Sequence, residues 1–251
     1  MTSSMKRFRQ KVIALVEERE LDRNETVEIR PLGVAEAIGD PAPWHDYPLM
    51  EGKEKLIEAR YGDGRGQAFT STPAGWQGTL GDLLDIEPTS DRNRALFVAA
   101  ANAIGRRLGR VRSTIHCHDA ATGRCAEAMA EEAARRLSPG GKVALVGYQP
   151  GFVHALSERL GPEKLLVVDL DPERIGKVEA GVTILDGRTE LNRLAAEGEW
   201  GLATGSTLVN DSLDGTIAAF AARGKPVVFF GTTIAFAACL LHLERLCFEA
   251  E

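Results

Sequence analysis

The chain has 251 residues, room for two domains of ordinary size, and a hydrophobic fraction of 44% is ample for a packed core. A formal net charge of −6 argues against a general nucleic-acid binder, which needs a basic face. No apolar run approaches the ~18–20 residues that span a bilayer, and the polar, basic start Met1–Arg9 lacks the apolar stretch of a signal peptide. The expectation is a soluble, cytoplasmic protein with no membrane and no nucleic acid among its partners. Met5–Glu18 spaces Phe8, Val12, Ile13 and Val16 as a helix does. Thr26–Leu32 alternates as a short strand, the proline-rich Pro41–Pro48 reads as a loop containing His45, and Lys53–Arg60 is amphipathic as strand or helix. In Tyr61–Thr79 the glycines Gly62, Gly64 and Gly66 come too close together for a dinucleotide fingerprint, so a hairpin turn is expected. Thr89, Ser90 and Asp91 offer N-caps for a helix over Arg92–Leu108, whose small-residue run is interrupted by Asn102. The basic run Arg106, Arg107, Arg110 and Arg112 then reads as a solvated helix end.

Thr114–His118 is expected as a short strand, and Gly123–Leu137 as an alanine-rich helix. Ser138-Pro139-Gly140-Gly141 breaks the chain, which places a domain boundary between 1–137 and 138–251. Beyond it, apolar runs at Lys142–Gly147, Lys164–Leu170, Val182–Asp186, Trp200–Thr204 and Pro226–Gly231 alternate with helical segments, the last over Ile234–Leu246. Continuous apolar strands between helices predict an α/β fold with a parallel sheet covered on both faces. A C-terminal Rossmann-like domain follows, with right-handed crossovers and strand order 3-2-1-4-5 by default.

Ligands of open α/β sheets bind at the carboxyl ends of the strands. The candidates there are Gly147, Gln149 and Gly151 after the first strand and Asp169 at the end of the second. Thr204, Gly205, Ser206, Thr207 and Asn210 follow the fourth strand, and Thr232 and Thr233 the fifth. Glycines let a ligand approach the backbone, helix N-termini attract anions, and an acidic residue after the second strand accepts from ribose hydroxyls. Asn102, buried on its helix, is either a structural tie or a wall of the same cleft.

Four cysteines, Cys117, Cys125, Cys239 and Cys247, in a cytosolic chain of this size argue against a disulfide framework and read as buried small hydrophobes or as ligands. Thiols beside histidines suit a soft metal. Cys117 and Cys125 with one nearby histidine, taken as His118, and Cys247 are the candidate ligands. If 114–118 is a strand, a histidine joins Cys117 only where the strand has ended. Cys239 and His242, three apart on a helix, share a face, with core packing the plainer role for Cys239. No G-x-S-x-G, H-E-x-x-H or Walker A motif is present, and Asp211 and Asp214 read as helix caps near Ser212.

Several segments together resemble one family. Asp46-Tyr47-Pro48-Leu49, Gly52-Lys53-Glu54, Gly66-Gln67-Ala68-Phe69-Thr70 and Gly78-Thr79-Leu80 resemble the N-terminal part of the "putative heavy-metal chelation" family, a part similar to an enolase N-terminal domain. Ala99–Ala103 with Asn102 is similar to that family's alanine–asparagine helix, and VALVGYQP, VVDLDP, ATGSTLVN and FFGTTIA resemble its Rossmann-like domain. The resemblance runs from about residue 5 to residue 247. It implies a smaller α+β enolase N-terminal-like domain ahead of the Rossmann-like one, and an intracellular protein that handles a metal or metal complex between them. No ligand residue is carried over from the family.

The leading expectation is a binding protein holding a heavy-metal ion, oxyanion or small metal complex in the interdomain cleft. The alternative is an enzyme using S-adenosylmethionine or a nicotinamide cofactor, with Asp169 on the ribose. A third reading is an accessory protein that assembles as a homo-oligomer through a face such as Ala120–Ala134.

Overall fold

The computed structural model describes residues 3–40 and 54–251; the loop assigned to 41–48, His45 and the family-like segments at 46–49 and 52–53 lie outside them. In chain order the first half comprises α1 (Ser4–Glu18), β1 (Thr26–Pro31), α2 (Val34–Ile38), β2 (Lys55–Tyr61), β3 (Gly64–Thr70), β4 (Trp76–Thr79), α3 (Leu80–Asp85), α4 (Asp91–Arg107) and α5 (Ala120–Arg136). The second comprises β5 (Val143–Val146), α6 (Pro150–Leu160), β6 (Leu165–Asp169), β7 (Val178–Glu179), β8 (Val182–Asp186), α7 (Gly187–Glu197), β9 (Trp200–Thr204), α8 (Leu213–Ala221), β10 (Val227–Phe230), α9 (Ala235–Leu241) and β11 (Arg245–Leu246). The protein is a mixed α/β fold of two sheets. One is antiparallel, ordered β3-β2-β1-β4; the other is ordered β11-β10-β9-β5-β6-β8-β7 and is parallel except at its β7 edge.

Side chains of successive strand residues point to opposite faces, and the second sheet is apolar on both. Val143 and Leu145 of β5, Leu202 of β9 and Val228 and Phe230 of β10 pack with α5 and α6. Ala144, Val146, Ala203 and Phe229 face the other way, into a core shared with α7, α8, α9, α4, α1 and the first sheet. A single apolar cluster therefore runs from one sheet to the other. The alanine face of α5 (Ala126, Ala130, Ala133) is spent in the chain's own core, so it is not the open assembly face expected from sequence.

Helix α4 is the spine of that core, buried continuously from Arg94 to Gly105. It lies so close to β3 that a Cβ on Gly66 would sit 2.2 Å from the Ala103 nitrogen, and one on Gly64 2.2 Å from the Ala103 oxygen. The glycine cluster is thus not a turn alone. Gly62 makes the β2–β3 turn with φ of 57°, while Gly64 and Gly66 are strand residues that admit a helix backbone. Phe8 of α1 sets its ring edge-on to Phe97 of α4 and Phe236 of α9, at 5.7 and 6.2 Å.

Asn102 ties these layers. Its Nδ2 donates to the carbonyls of Gln67, Thr232 and Thr233 (2.9, 3.1 and 3.1 Å), and its Oδ1 accepts from the Phe236 amide at 2.9 Å. One fully buried side chain joins α4 to β3 and to the turn between β10 and α9. Two expected elements differ. Residues 114–118 are an irregular segment rather than a strand, and α9 ends at Leu241, with His242 in the left-handed region (φ 57°) and the chain returning as β11. Asp214 does not cap its own helix; it accepts from the Ser4 amide and hydroxyl at the start of α1. Among the described residues no helix is long and apolar enough to cross a membrane. Replacing Asn102 by Leu strands one amide and leaves up to three carbonyls short of a donor, at about 1–3 kcal/mol each. A loss of at least about 3 kcal/mol in urea unfolding is expected, and a loss below 1 would remove Asn102 from this role.

Candidate functional site

A cavity of about 650 Å³ runs along the carboxyl ends of the parallel strands. Its floor is the turns after β5 (Gly147, Tyr148, Gln149), β6 (Asp169–Asp171), β8 (Gly187, Arg188), β9 (Thr204–Thr207), β10 (Gly231, Thr233) and β11 (Cys247). The first half supplies the facing wall: Ile38, Glu54, Phe69–Ser71, His116 and Cys117. The Phe69 amide donates to Thr233 Oγ1 at 3.0 Å, joining wall to floor. Gly147 has φ of 94°, and a Cβ there would meet Thr204 Cγ2 at 2.5 Å, so glycine is required twice over at this strand end.

Of the candidate strand-end residues, Gly147, Gln149, Asp169, Thr204, Gly205, Ser206, Thr207, Asn210 and Thr233 line the cavity. Gly151, Thr232 and Asn102 do not: Gly151 is buried in the first turn of α6, and Thr232 is fully buried behind the lining. Several lining groups are already engaged. Both Asp169 oxygens accept backbone amides, from Tyr148 at 2.5 Å and Asp171 at 2.7 Å. The Gln149 side chain caps α6 by accepting the Phe152 amide, and Pro150 has no N–H to offer. Thr207 Oγ1 donates to the Thr204 carbonyl at 2.7 Å. The helix N-terminus that would bind an anion is thus closed by its own side chain.

Three thiols from separate segments reach this cavity: Cys117 from the irregular segment, Cys125 from α5 and Cys247 from beyond β11. Cys125 is pushed up by its hydrogen bond to the Cys117 thiol and by burial; Cys247 is pushed up chiefly by burial. The histidine among them is His116, not the expected His118, which does not line the cavity. In an irregular segment the alternation of a strand does not apply, so His116 and Cys117 face the same space. The His116 ring lies edge-on to Phe69 at 5.3 Å, and burial pulls its pKa down. Its Nδ1 lies 2.7 Å from the Cys117 carbonyl, which can only accept. Nδ1 therefore carries the proton, and Nε2 keeps its lone pair. Cys239 is exposed, its thiol 3.5 Å from the Arg110 carbonyl, and neither it nor His242 lines the cavity. The core role expected for Cys239 is not found. Among the described residues no three of His, Cys, Asp and Glu stand close enough to form a ready-made coordination shell.

Sequence reasoning missed Glu54. Burial pushes its carboxyl up to about 7, aided by the charges of Asp169 and Asp171. Its only sequence signal was a place in a family-like segment. At the same end, the Arg174 guanidinium lies 4.7 Å over the Tyr148 ring, and Arg188 faces Asp186 at 3.4 Å.

Residues 130–244 match the model of the family DUF364, "Putative heavy-metal chelation". A DUF364 protein of unknown function from Pyrococcus horikoshii has a similar crystal structure, with 16% identity and a TM-score of 0.55 over 92% of this chain and 80% of that one. Another, from Desulfitobacterium hafniense DCB-2, gives 18% identity and a TM-score of 0.48 over 74% of this chain and 72% of that one. No curated protein matches. The DUF364 span is shorter than the resemblance read from sequence, and it carries the cavity floor from β5 to β10. Glu54, His116 and all three cavity thiols lie outside it, on the flanking segments.

How those flanks are aimed is visible in the hydrogen bonds around Gln67. Its amide donates to the Thr114 carbonyl at 3.1 Å, its Oε1 accepts the His116 amide at 2.8 Å, and its Nε2 donates to Glu58 at 3.0 Å. Burial works to raise Glu58, yet hydrogen bonds from Arg65 and Gln67 hold it below the usual carboxylate range. On the other side of the segment, Ile115 and Glu251 exchange two backbone hydrogen bonds at 2.9 and 3.0 Å. The segment bearing Cys117 is clamped between β3 and the chain's last residues, the same stretch that brings in Cys247. Gln67→Leu removes one clamp, a buried hydrogen-bond loss of about 1–3 kcal/mol. Cys117 is then expected to react with a disulfide reagent about tenfold faster in a protein that is still folded; an unchanged rate would show that the clamp does not hold the segment.

Proposed function

We propose that this chain is a binding protein for a soft-metal species, held at the thiol end of the cavity between the two sheets. The observation that carries the reading is the convergence of Cys117, Cys125 and Cys247, from three distant segments, on one cavity that His116 also lines. Thiolate and imidazole together suit cadmium, zinc or copper(I). The hydrogen bond to Cys117 and burial raise Cys125, and burial raises Cys247, so these two rest protonated and uncharged. Without charge they can pack in an apolar end, and an incoming metal draws them into a shell as their protons leave. The carboxylates Glu54, Asp169 and Asp171 in the lining favour a cationic species over an oxyanion.

The enzyme reading has less support. A ribose would compete for Asp169 oxygens that already accept two amides, and a pyrophosphate would meet a helix start closed by Gln149 and Pro150. Under the metal reading, saturating S-adenosylmethionine or nicotinamide dinucleotide leaves Tm unchanged.

The test is cadmium titration followed by elemental mass spectrometry. Wild type should bind near-stoichiometrically. Cys125→Ser should lose more than the about 10–100-fold that removal of an outer-shell partner costs, and Cys117→Ala should weaken binding with the fold intact. Unchanged stoichiometry and affinity in both variants would sink the assignment. Proton displacement sets the pH dependence: affinity climbs with pH by about tenfold per unit for each thiol proton released. Calorimetry in buffers of different ionisation heat counts those protons, and a pH-independent affinity would point to ligands other than thiols.

A further inference from the structure

Cys117 and Cys125 meet in a way that packing alone does not require. Cys117 sits in the clamped irregular segment, and Cys125 lies on the second turn of α5. The Cys125 thiol donates a hydrogen bond to the Cys117 sulfur. Both side chains belong to the buried cluster that packs α5 and α6 on the parallel sheet, with 8% and 7% of their surface exposed. What is exposed faces the cavity, which both residues line, so a small solute inside it meets both sulfurs. The other two cysteines stand differently. Cys247 acts on Cys125 through charge, and Cys239 is exposed beside the Arg110 carbonyl, away from the cavity.

We propose that Cys117 and Cys125 are a reversible disulfide site, oxidised by a small organic disulfide that enters the cavity. Exchange begins with a thiolate attacking a disulfide sulfur. Cys117, whose sulfur accepts the Cys125 proton, is the attacking residue. It gives its own proton to solvent and bonds to one sulfur of the reagent. The reagent's sulfur–sulfur bond breaks, and half of it leaves as a thiolate that takes up a proton. Cys125 then gives its proton to solvent and attacks the Cys117 sulfur, and the second half leaves in the same way. Two protein thiols are oxidised by two electrons, and one small disulfide is reduced to two thiols. Two features suit Cys125 to the second step. Its thiol already points at the Cys117 sulfur, and the amides of Phe248 and Glu249 hydrogen-bond to its own sulfur, where they steady the charge that forms. The bond would tie the segment that Gln67 clamps to β3 onto α5. It requires only that the two sulfurs meet, so it stands apart from the metal reading.

The test equilibrates the full chain in glutathione buffers of rising oxidising power, then alkylates it and digests it with trypsin. Trypsin cuts after Arg124, between the two cysteines, so the disulfide joins peptide 113–124 to peptide 125–135. That joined pair is the expected product, with the exposed Cys239 carrying glutathione at most. Half-oxidation of the folded protein should need a buffer at least about tenfold less oxidising than the same chain needs in urea, because the fold holds the sulfurs in contact. In Cys125→Ser the second step is lost, and glutathione on Cys117 should be at least about tenfold more abundant than in wild type. Cys125 joined to Cys247 instead, glutathione persisting on Cys117 of the wild type, or both thiols still free in fully oxidising buffer overturns the proposal. So does a folded protein that oxidises no more readily than the unfolded chain.

Discussion

The structure depends on one fully buried polar side chain, Asn102, in the helix at the centre of the core. An amide group inside a core costs free energy unless its donors and acceptor are used. Asn102 uses all of them on backbone groups of two other elements. That requirement fixes how far α4 lies from β3 and from the turn after β10. The glycines of β3 follow from it, because only residues without a Cβ admit a helix backbone so closely. The site follows as well: the turn that Asn102 holds includes Thr233, whose hydroxyl takes the Phe69 amide and closes the cavity wall.

What was legible in the sequence divides along physical lines. Strands β5, β6, β9 and β10 are buried on both faces, so they appear as unbroken apolar runs that need no knowledge of partners. Strand β2 was ambiguous because Glu58 is buried in it, a charge tolerated only for its partners Arg65 and Gln67. Strand β3 looked like a turn because the reason for its glycines is a helix about forty residues away. The helix expected to reach Leu246 stops early because Arg245 and Leu246 pair with β10, a tertiary gain that composition does not record.

The candidate site shows the same division. Thiols and hydroxyls could be picked out by their chemistry, and many of the strand-end residues do line the cavity. Their meeting could not be read, since it depends on β11 pairing with β10 and on backbone pairing of Ile115 with Glu251. Choosing between His116 and His118 turned on whether the segment was a strand, and it is instead irregular, held by contacts to Arg65, Gln67 and Glu251. Asp169 and Gln149 line the cavity, and each also holds backbone at a strand end, a role the sequence did not show.

The packing of α1 has a consequence for the order of events during synthesis. Its apolar face, with Phe8 foremost, is covered by Phe236, and its first amide is taken by Asp214, more than two hundred residues later. Domains emerge N-terminus first at about 5–20 residues per second. Helix α1 therefore waits on the order of ten seconds or more for these partners. Until then it carries an uncovered apolar stripe, which makes the nascent chain, rather than the finished fold, the state most in need of a chaperone.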